Sequence, residues 1–267
     1  MKPLIHFAHA NGVPSQVYQK LFDLLKDEYE VIYVPLLGTD KRYPIDNHWE
    51  SLTNQVIDSI VRQAKGRPVI GLGHSLGSVL TFQAALKRPE LFSQVIMLDP
   101  PLIMGKDGFA LHVAKLLKLK AVDRMSPAAL SLRRRDHWDS REQAAELLRP
   151  KGFYKDFDAD CFQAYIDYAL TEDKVRGGVE LTIPKMDEVK VFRTNPSLWW
   201  LPRKKINLPI HLVVAEQSPF LPRRFPQMVK KKFGVPFSIT AGGHMFPLEH
   251  PVEVVKLVKE LIQQQAQ

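Results

Sequence analysis

The sequence predicts an α/β protein: a mostly parallel six-stranded sheet flanked by helices, with a helical insertion late in the sheet. Three observations carry this. Six short runs are apolar almost throughout, as strands buried on both faces of a parallel sheet must be. Amphipathic helical patterns alternate with the first four of them. The alternation then stops after Asp99 and resumes only near Leu208.

The elements follow in order. Pro3–His9 is the first apolar run, and Gln16–Lys26 follows with Val17, Leu21, Leu24 and Leu25 on one stripe. Glu30–Pro35 is the second strand. His48–Gln63 repeats Leu52, Val56 and Ile60 at a spacing of four, which is one helix face. Pro68–His74 is a third strand that runs directly into a helix over Leu76–Lys87, and Gln94–Asp99 is the fourth. From Pro101 to Leu208 the pattern is mostly helical. Ser140 and Gln143 have the spacing of a capping box, and Phe162, Tyr165, Ile166 and Ala169 share a face. Pro209–Glu216 and Pro236–Ala241 complete the six strands, and Val252–Gln263 is a closing helix. The expected division is a core of residues 1–100 and 207–267 with a helical cap of residues 101–206. An insertion there belongs over the C-terminal edge of the sheet, where such folds bind ligands.

Composition narrows the class. The chain has 267 residues, 45% hydrophobic and 25% charged, ordinary for a globular protein. Its one cysteine, Cys161, excludes an intrachain disulfide and fits a reducing compartment. No apolar stretch reaches the ~18 residues of a membrane helix, and the N-terminus lacks a signal-peptide pattern, so the expectation is a cytoplasmic protein without a membrane partner. The net charge is +8, with small clusters at Arg133–Arg135, Arg223–Arg224 and Lys230–Lys232. No nucleic-acid motif accompanies them, and a basic soluble enzyme without a nucleic-acid partner is expected. The histidines are dispersed and no phosphate-cradling glycine loop occurs, so neither metal nor cofactor is expected. Oligomeric state is left open.

The chemistry concentrates in Gly73-His74-Ser75-Leu76-Gly77, a G-x-S-x-G placed between a strand and a helix. A sharp turn there lifts a serine hydroxyl clear of the sheet at a helix N-terminus, where the Leu76 N–H and the helix dipole face a developing oxyanion. With this motif, the "HFAHANGVPS" loop after the first strand and the "AGGHMFPLEHP" segment after the last, the chain resembles the α/β-hydrolase superfamily over nearly its whole length. The resemblance implies Ser75 as nucleophile, His244 as general base, and a second oxyanion donor from the backbone of Asn11, with Ala10 as its neighbour. It implies a shape-giving role for His9 and helix-start roles for Glu249 and His250. Because the chain begins at the first parallel strand, the hairpin that opens many family members is expected to be missing.

The acid departs from the pattern. In the family it usually follows the penultimate strand, and Ala215 and Pro222 set a frame that puts Ser218 at that position. Serine cannot carry the charge that steadies an imidazolium. Some members place the acid after the strand that follows the nucleophile helix, which here ends in Asp99. Asp99 is therefore the expected acid, with Glu216 as the alternative. The insertion carries Phe109, Trp138, Phe153, Tyr154, Phe157, Phe162, Tyr165, Tyr168, Phe192, Trp199 and Trp200, which suggests a hydrophobic or aromatic substrate. The resemblance thus implies a serine carboxylesterase that acts on a small-molecule ester. Thioesterases and C–C bond hydrolases share its machinery, whereas a serine nucleophile argues against epoxide hydrolases and haloalkane dehalogenases. A non-catalytic small-molecule receptor on the same fold is the alternative that Ser218 would favour.

Overall fold

A computed structural model describes residues 1–199, 201 and 207–265. The elements run β1 (Leu4–Ala8), α1 (Gln19–Leu25), β2 (Glu30–Tyr33), α2 (Glu50–Ala64), β3 (Val69–His74), α3 (Leu76–Lys87) and β4 (Phe92–Leu98). The insertion holds α4 (Gly105–Leu116), α5 (Ala121–Arg124), α6 (Ala128–Arg133), β5 (His137–Trp138), α7 (Arg141–Leu148), α8 (Ala159–Tyr168), β6 (Leu170–Glu172), β7 (Val179–Leu181) and α9 (Lys185–Arg193). Then come β8 (Ile210–Ala215), α10 (Phe225–Phe233), β9 (Phe237–Thr240), α11 (Phe246–Glu249) and α12 (Pro251–Gln265).

The central sheet has six strands in the order β2-β1-β3-β4-β8-β9, and every pairing is parallel. β1 and β3 are buried at every residue, while the edge strands β2 and β9 are only half-buried. That gradient is what helices on both faces impose. Alternation within β1 divides the two cores. Ile5 and Phe7 pack with α1 and α12; Leu4 and Ala8 pack with α2 and α3. The register sets Ala8 beside Gly73, His74 beside Leu98 and Ala215 beside Thr240, so the strands end level along one edge. The loops that follow those ends carry the site residues.

The insertion differs from the helical reading in one respect. Besides its helices it contains a small antiparallel sheet in the order β5-β7-β6. These strands are two or three residues long, too short to print an alternating pattern, and β6 comes almost directly after α8. The expected cap at Ser140 is present, and Asp158 provides a second that the sequence pattern did not single out. The Ser140 side chain accepts from the Gln143 N–H, and the Asp158 carboxylate accepts from the Asp160 and Cys161 N–H groups while pairing with Lys20 at 2.7 Å. That ion pair ties α8 to α1. The insertion therefore has two parts. Its middle lies against the flank of the core, with Trp138, Phe157, Tyr165 and Ile166 merged into the α1 side. Helices α4, α6 and α9 stand over the sheet edge, where their Leu111, Leu130 and Phe192 line a cavity with Ser75. Trp200, and the end of the insertion at residue 206, lie outside the described residues.

Three fully buried histidines link fold to pH. Burial pushes His6 down to about 3, His9 to about 4 and His74 to about 3, the charge of His244 adding to the last. All three are neutral in the fold but bind protons in the unfolded chain below its ordinary value near 6.5. The unfolded state therefore gains protons as pH falls. Stability should be flat between about pH 7 and 8 and decline between about 6.5 and 4, by up to roughly 1.4 kcal/mol per pH unit for each histidine. Urea unfolding across this range checks it; a flat midpoint down to pH 4 would contradict it.

Candidate active site

The site begins with a close approach of two backbones. A Cβ at Gly77 would stand 2.0 Å from the Ala8 carbonyl oxygen, and one at Gly73 2.5 Å from the Gly77 carbonyl carbon. Without these glycines α3 could not start so near β1. Between them Ser75 holds φ +52° and ψ −115°, a conformation that costs a non-glycine residue about 1–3 kcal/mol. Its surroundings offset that cost. The Ser75 N–H donates to the Leu98 carbonyl at 2.9 Å, and its carbonyl accepts from Ser78 and Val79. The hydroxyl is thereby held beside the start of α3.

Asp99 follows β4 and is fully buried, also at positive φ (+44°), a region that aspartate tolerates better than most residues. Its N–H donates to the Val213 carbonyl at 2.8 Å, which fixes the turn. One carboxylate oxygen accepts the Ala215 N–H at 3.2 Å; the other lies 2.5 Å from His244 Nδ1. His244 Nε2 lies 2.9 Å from Ser75 Oγ. The carboxylate accepts only, so Nδ1 carries the hydrogen and Nε2 is left to accept from the serine hydroxyl. Serine, histidine and aspartate form one continuous hydrogen-bonded series.

The alternative acid is not in this series. Glu216 is exposed, and its backbone pairs with Thr240. Ser218, at the usual acid position, is buried in a turn that closes on itself: its N–H donates to Ala215 and its hydroxyl accepts the Phe220 N–H at 3.2 Å. The turn lays the Phe220 ring edge-on against the His244 imidazole, centroids 5.7 Å apart.

A serine, a histidine and a buried aspartate so joined, at the strand ends of this sheet, are the arrangement of a serine hydrolase. The alpha/beta hydrolase family model matches residues 7–257. The chain belongs to that family. This alpha/beta hydrolase is 23% identical over 216 residues to the type I acyl-CoA thioesterase mpaH of Penicillium brevicompactum, a match that covers 68% of this chain and 47% of that protein. The chain thus spans about half the length of that curated relative. The uncharacterized hydrolase YugF of Bacillus subtilis (strain 168) is 31% identical over 84 residues, 30% of each chain. Among solved structures, E-2-(acetamidomethylene)succinate hydrolase superposes with a TM-score of 0.74 at 20% identity, covering 98% of this chain and 92% of that one. The thioesterase domain from the curacin biosynthetic pathway gives 0.73 at 17% identity, covering 97% and 91%. At these identities the structural likeness shows the fold.

The hydrolase surrounds its serine with bonds that sequence reasoning did not anticipate. His74 Nε2–H donates to the His244 carbonyl at 2.8 Å, so His74 Nδ1 accepts, and the Tyr18 hydroxyl lies 2.7 Å from it. The Ala10 N–H in turn reaches the Tyr18 oxygen at 3.4 Å. This chain joins the loops after β1, β3 and β9. His9 accepts the Leu37 N–H at Nε2 (2.8 Å) and donates from Nδ1 to the Ala10 carbonyl (2.7 Å), the shape-giving role expected of it. Glu249 accepts the Gly243 N–H at 2.7 Å and steadies the residue before His244. The Asn11 side chain donates to the Glu188 carbonyl at 3.0 Å. Glu188 is itself buried, with one oxygen 2.6 Å from Ser131 Oγ and the other 2.6 Å from Arg134. Arg134, one of the basic cluster Arg133–Arg135, is thus turned inward to brace Glu188 within the insertion, and the Glu188 carbonyl in turn holds Asn11 of the core. A tyrosine in an amphipathic stripe and an arginine in a basic run carry no local mark of these roles.

The cavity above Ser75 has a volume of about 510 Å³, the size of a small-molecule site. Its apolar lining comes mostly from Leu76, Pro101, Ile103, Leu111, Met125, Leu130 and Val191, and also from Phe220 and Phe225 of the core side. Of the insertion aromatics named from sequence, Phe192 lines it; Trp138, Tyr154, Phe157, Tyr165 and Trp199 are buried in packing instead.

Tyr18→Phe should leave His74 Nδ1 buried without a donor. A loss of about 1–3 kcal/mol, read from urea unfolding, is expected. A change within a few tenths of wild type would remove Tyr18 from the network.

Proposed function

We propose that this serine hydrolase cleaves carboxylic esters, thioesters included, of a hydrophobic or aromatic acyl group through an acyl-enzyme on Ser75. The observation that carries the reading is the Ser75–His244–Asp99 series at the floor of an apolar cavity. In this reading Ser75 Oγ attacks the acyl carbonyl as His244 Nε2 takes its proton. Asp99 holds the imidazole in the needed tautomer and steadies its positive charge. The backbone N–H groups of Leu76 and Asn11 receive the oxyanion. Their neighbours support this: the Gly77 N–H is already bonded to the His9 carbonyl, and the Asn11 side chain is tied to Glu188. His244 then returns the proton to the leaving oxygen or sulfur, and a water activated by the same histidine releases the acid.

Residues 101–206 act as the cap, with α4, α6 and α9 roofing the acyl group. The lining of aliphatic, methionine and proline side chains supports a flexible hydrophobic acyl chain at least as well as an aromatic one. The mpaH likeness supports including thioesters. The receptor-like alternative rested on Ser218, and a buried Asp99 on the imidazole removes that ground. A single buried cysteine keeps the reading of a protein in a reducing compartment such as the cytoplasm.

The test is a series of p-nitrophenyl esters of increasing chain length beside thioesters of the same acids. Turnover should rise with acyl length until the cavity is filled. Ser75→Ala should lower it by several orders of magnitude while the fold persists; residual activity within about tenfold of wild type would sink the nucleophile.

The acid is tested separately. Asp99→Asn should cut kcat by about 10⁴, the consequence of a wrong tautomer, while Glu216→Gln changes it little. The opposite ranking would exchange the two assignments.

A further inference from the structure

A second cavity, of about 470 Å³, lies on the other side of α5 from the acyl cavity. Its walls include Lys115, Lys118, Lys120 and Arg193, with Asp123 the one carboxylate among the lining residues. That carboxylate is taken: Arg193 grips it with two bonds, of 2.7 and 2.8 Å. Three lysine charges therefore face the basin without a carboxylate of its lining to balance them. Lys115 is partly buried, and both acceptors it reaches, Asn47 Oδ1 and the Asn195 carbonyl at 2.7 Å each, are neutral oxygens. Burial accordingly pushes its ammonium down to about 8. Lys118 and Lys120 are exposed along the wall of the basin. Here a concave wall gathers them, and the field of like charges in a cleft favours an anion.

The basin abuts the acyl cavity at two places. Asp123 lines one and Arg124 the other; Thr194 lines one and Asn195 the other. Consecutive Cα atoms are about 3.8 Å apart, so a single layer of protein divides the two. Arg124 is exposed at the acyl side, and with Lys120 it puts a cation at each end of α5. The charge thus continues from the mouth of the acyl cavity to the basin.

We propose that this basin holds the phosphate groups of a phosphorylated thiol carrier, of the chemistry of coenzyme A, whose acyl thioester lies on Ser75. The inference rests on the hydrolase reading above and names the leaving group of that reaction. Attack on the thioester breaks its C–S bond, the thiolate leaves with the His244 proton, and water later releases the acid. Lys118 and Lys120 contact phosphate oxygens, and Lys115 supplies a fixed charge at the wall.

The comparison that tests it uses one acyl group on two thiols. The coenzyme A thioester carries the phosphates; the N-acetylcysteamine thioester keeps the reacting bond and lacks them. At low salt kcat/KM should favour the coenzyme A ester by about tenfold or more, the worth of one charge-assisted contact. The preference should collapse in Lys118→Ala/Lys120→Ala and at high salt. It should survive in Lys230→Ala/Lys231→Ala, which removes the same charge from the exposed side of α10. Equal kcat/KM for both esters in wild type, or a preference that persists in the Lys118/Lys120 variant, would overturn the proposal and leave the hydrolase reading intact. Should neither thioester turn over, the hydrolase reading suffers, and calorimetry with adenosine 3′,5′-bisphosphate still decides the basin. Binding to wild type that weakens by about tenfold in the Lys118/Lys120 variant supports it. No binding, or displacement by equimolar inorganic phosphate, refutes a carrier site.

Discussion

The constraint on which the rest depends is the approach of α3 to β1. The helix begins within 3.1 Å, N to O, of the His9 carbonyl because Gly77 presents no side chain there. That contact does two things at once. It raises Ser75 above the sheet in a conformation that an unconstrained chain would relax, and it pins the loop that leaves β1. The Tyr18–His74 pair then carries the same constraint to the His244 loop. Three loops far apart in sequence are thereby registered against one another before any substrate arrives. Such preorganisation is what an oxyanion-stabilising site needs, since donors aimed in advance cost no reorganisation during reaction.

The displaced acid is a consequence of the parallel sheet. β4 and β8 are adjacent, and Leu98 pairs with Val213. Their C-terminal ends therefore open onto the same space, and a carboxylate from either can reach one imidazole. Once Asp99 occupies that place, with Ala215 N–H as its second partner, the loop after β8 is relieved of an acid. Here that loop closes as a serine turn and sets Phe220 beside the imidazole, where it joins the wall of the cavity above Ser75. Moving the acid by one strand has freed a loop for shaping the pocket.

The insertion serves the site through charge as well as shape. Its buried Arg134–Glu188 pair would be costly if either partner were lost, because the other would remain buried and unpaired. Hydrogen bonds from Ser131 to Glu188 and from Arg134 to the hydroxyls of Tyr154 and Tyr165 complete it. Through the Glu188 carbonyl this cluster holds Asn11. Outside it, the cap surface is strongly basic around α4 and α5. Apolar lining, buried ion pair and exposed cations are three uses of one inserted segment.

The sequence by itself determined the six strands and the fold, because β-branched and apolar runs between amphipathic stripes have one stable arrangement, and because the insertion's rhythm breaks from theirs. It also determined Ser75 and His244, whose local motifs carry geometry: the glycines of the elbow admit only one kind of turn. Asp99 was legible as the expected acid, with Glu216 left as the alternative. The contact of Asp99 with the imidazole depends on the register of β4 against β8, a relation between residues more than a hundred positions apart. Tyr18, Glu188 and Arg134 were silent for the same reason. Their roles reside in what faces them across the fold, and a stripe or a charge run looks alike whether it meets solvent or a buried partner. The short cap strands, the cavity walls and the basic basin are likewise products of packing, decided only where distant segments meet.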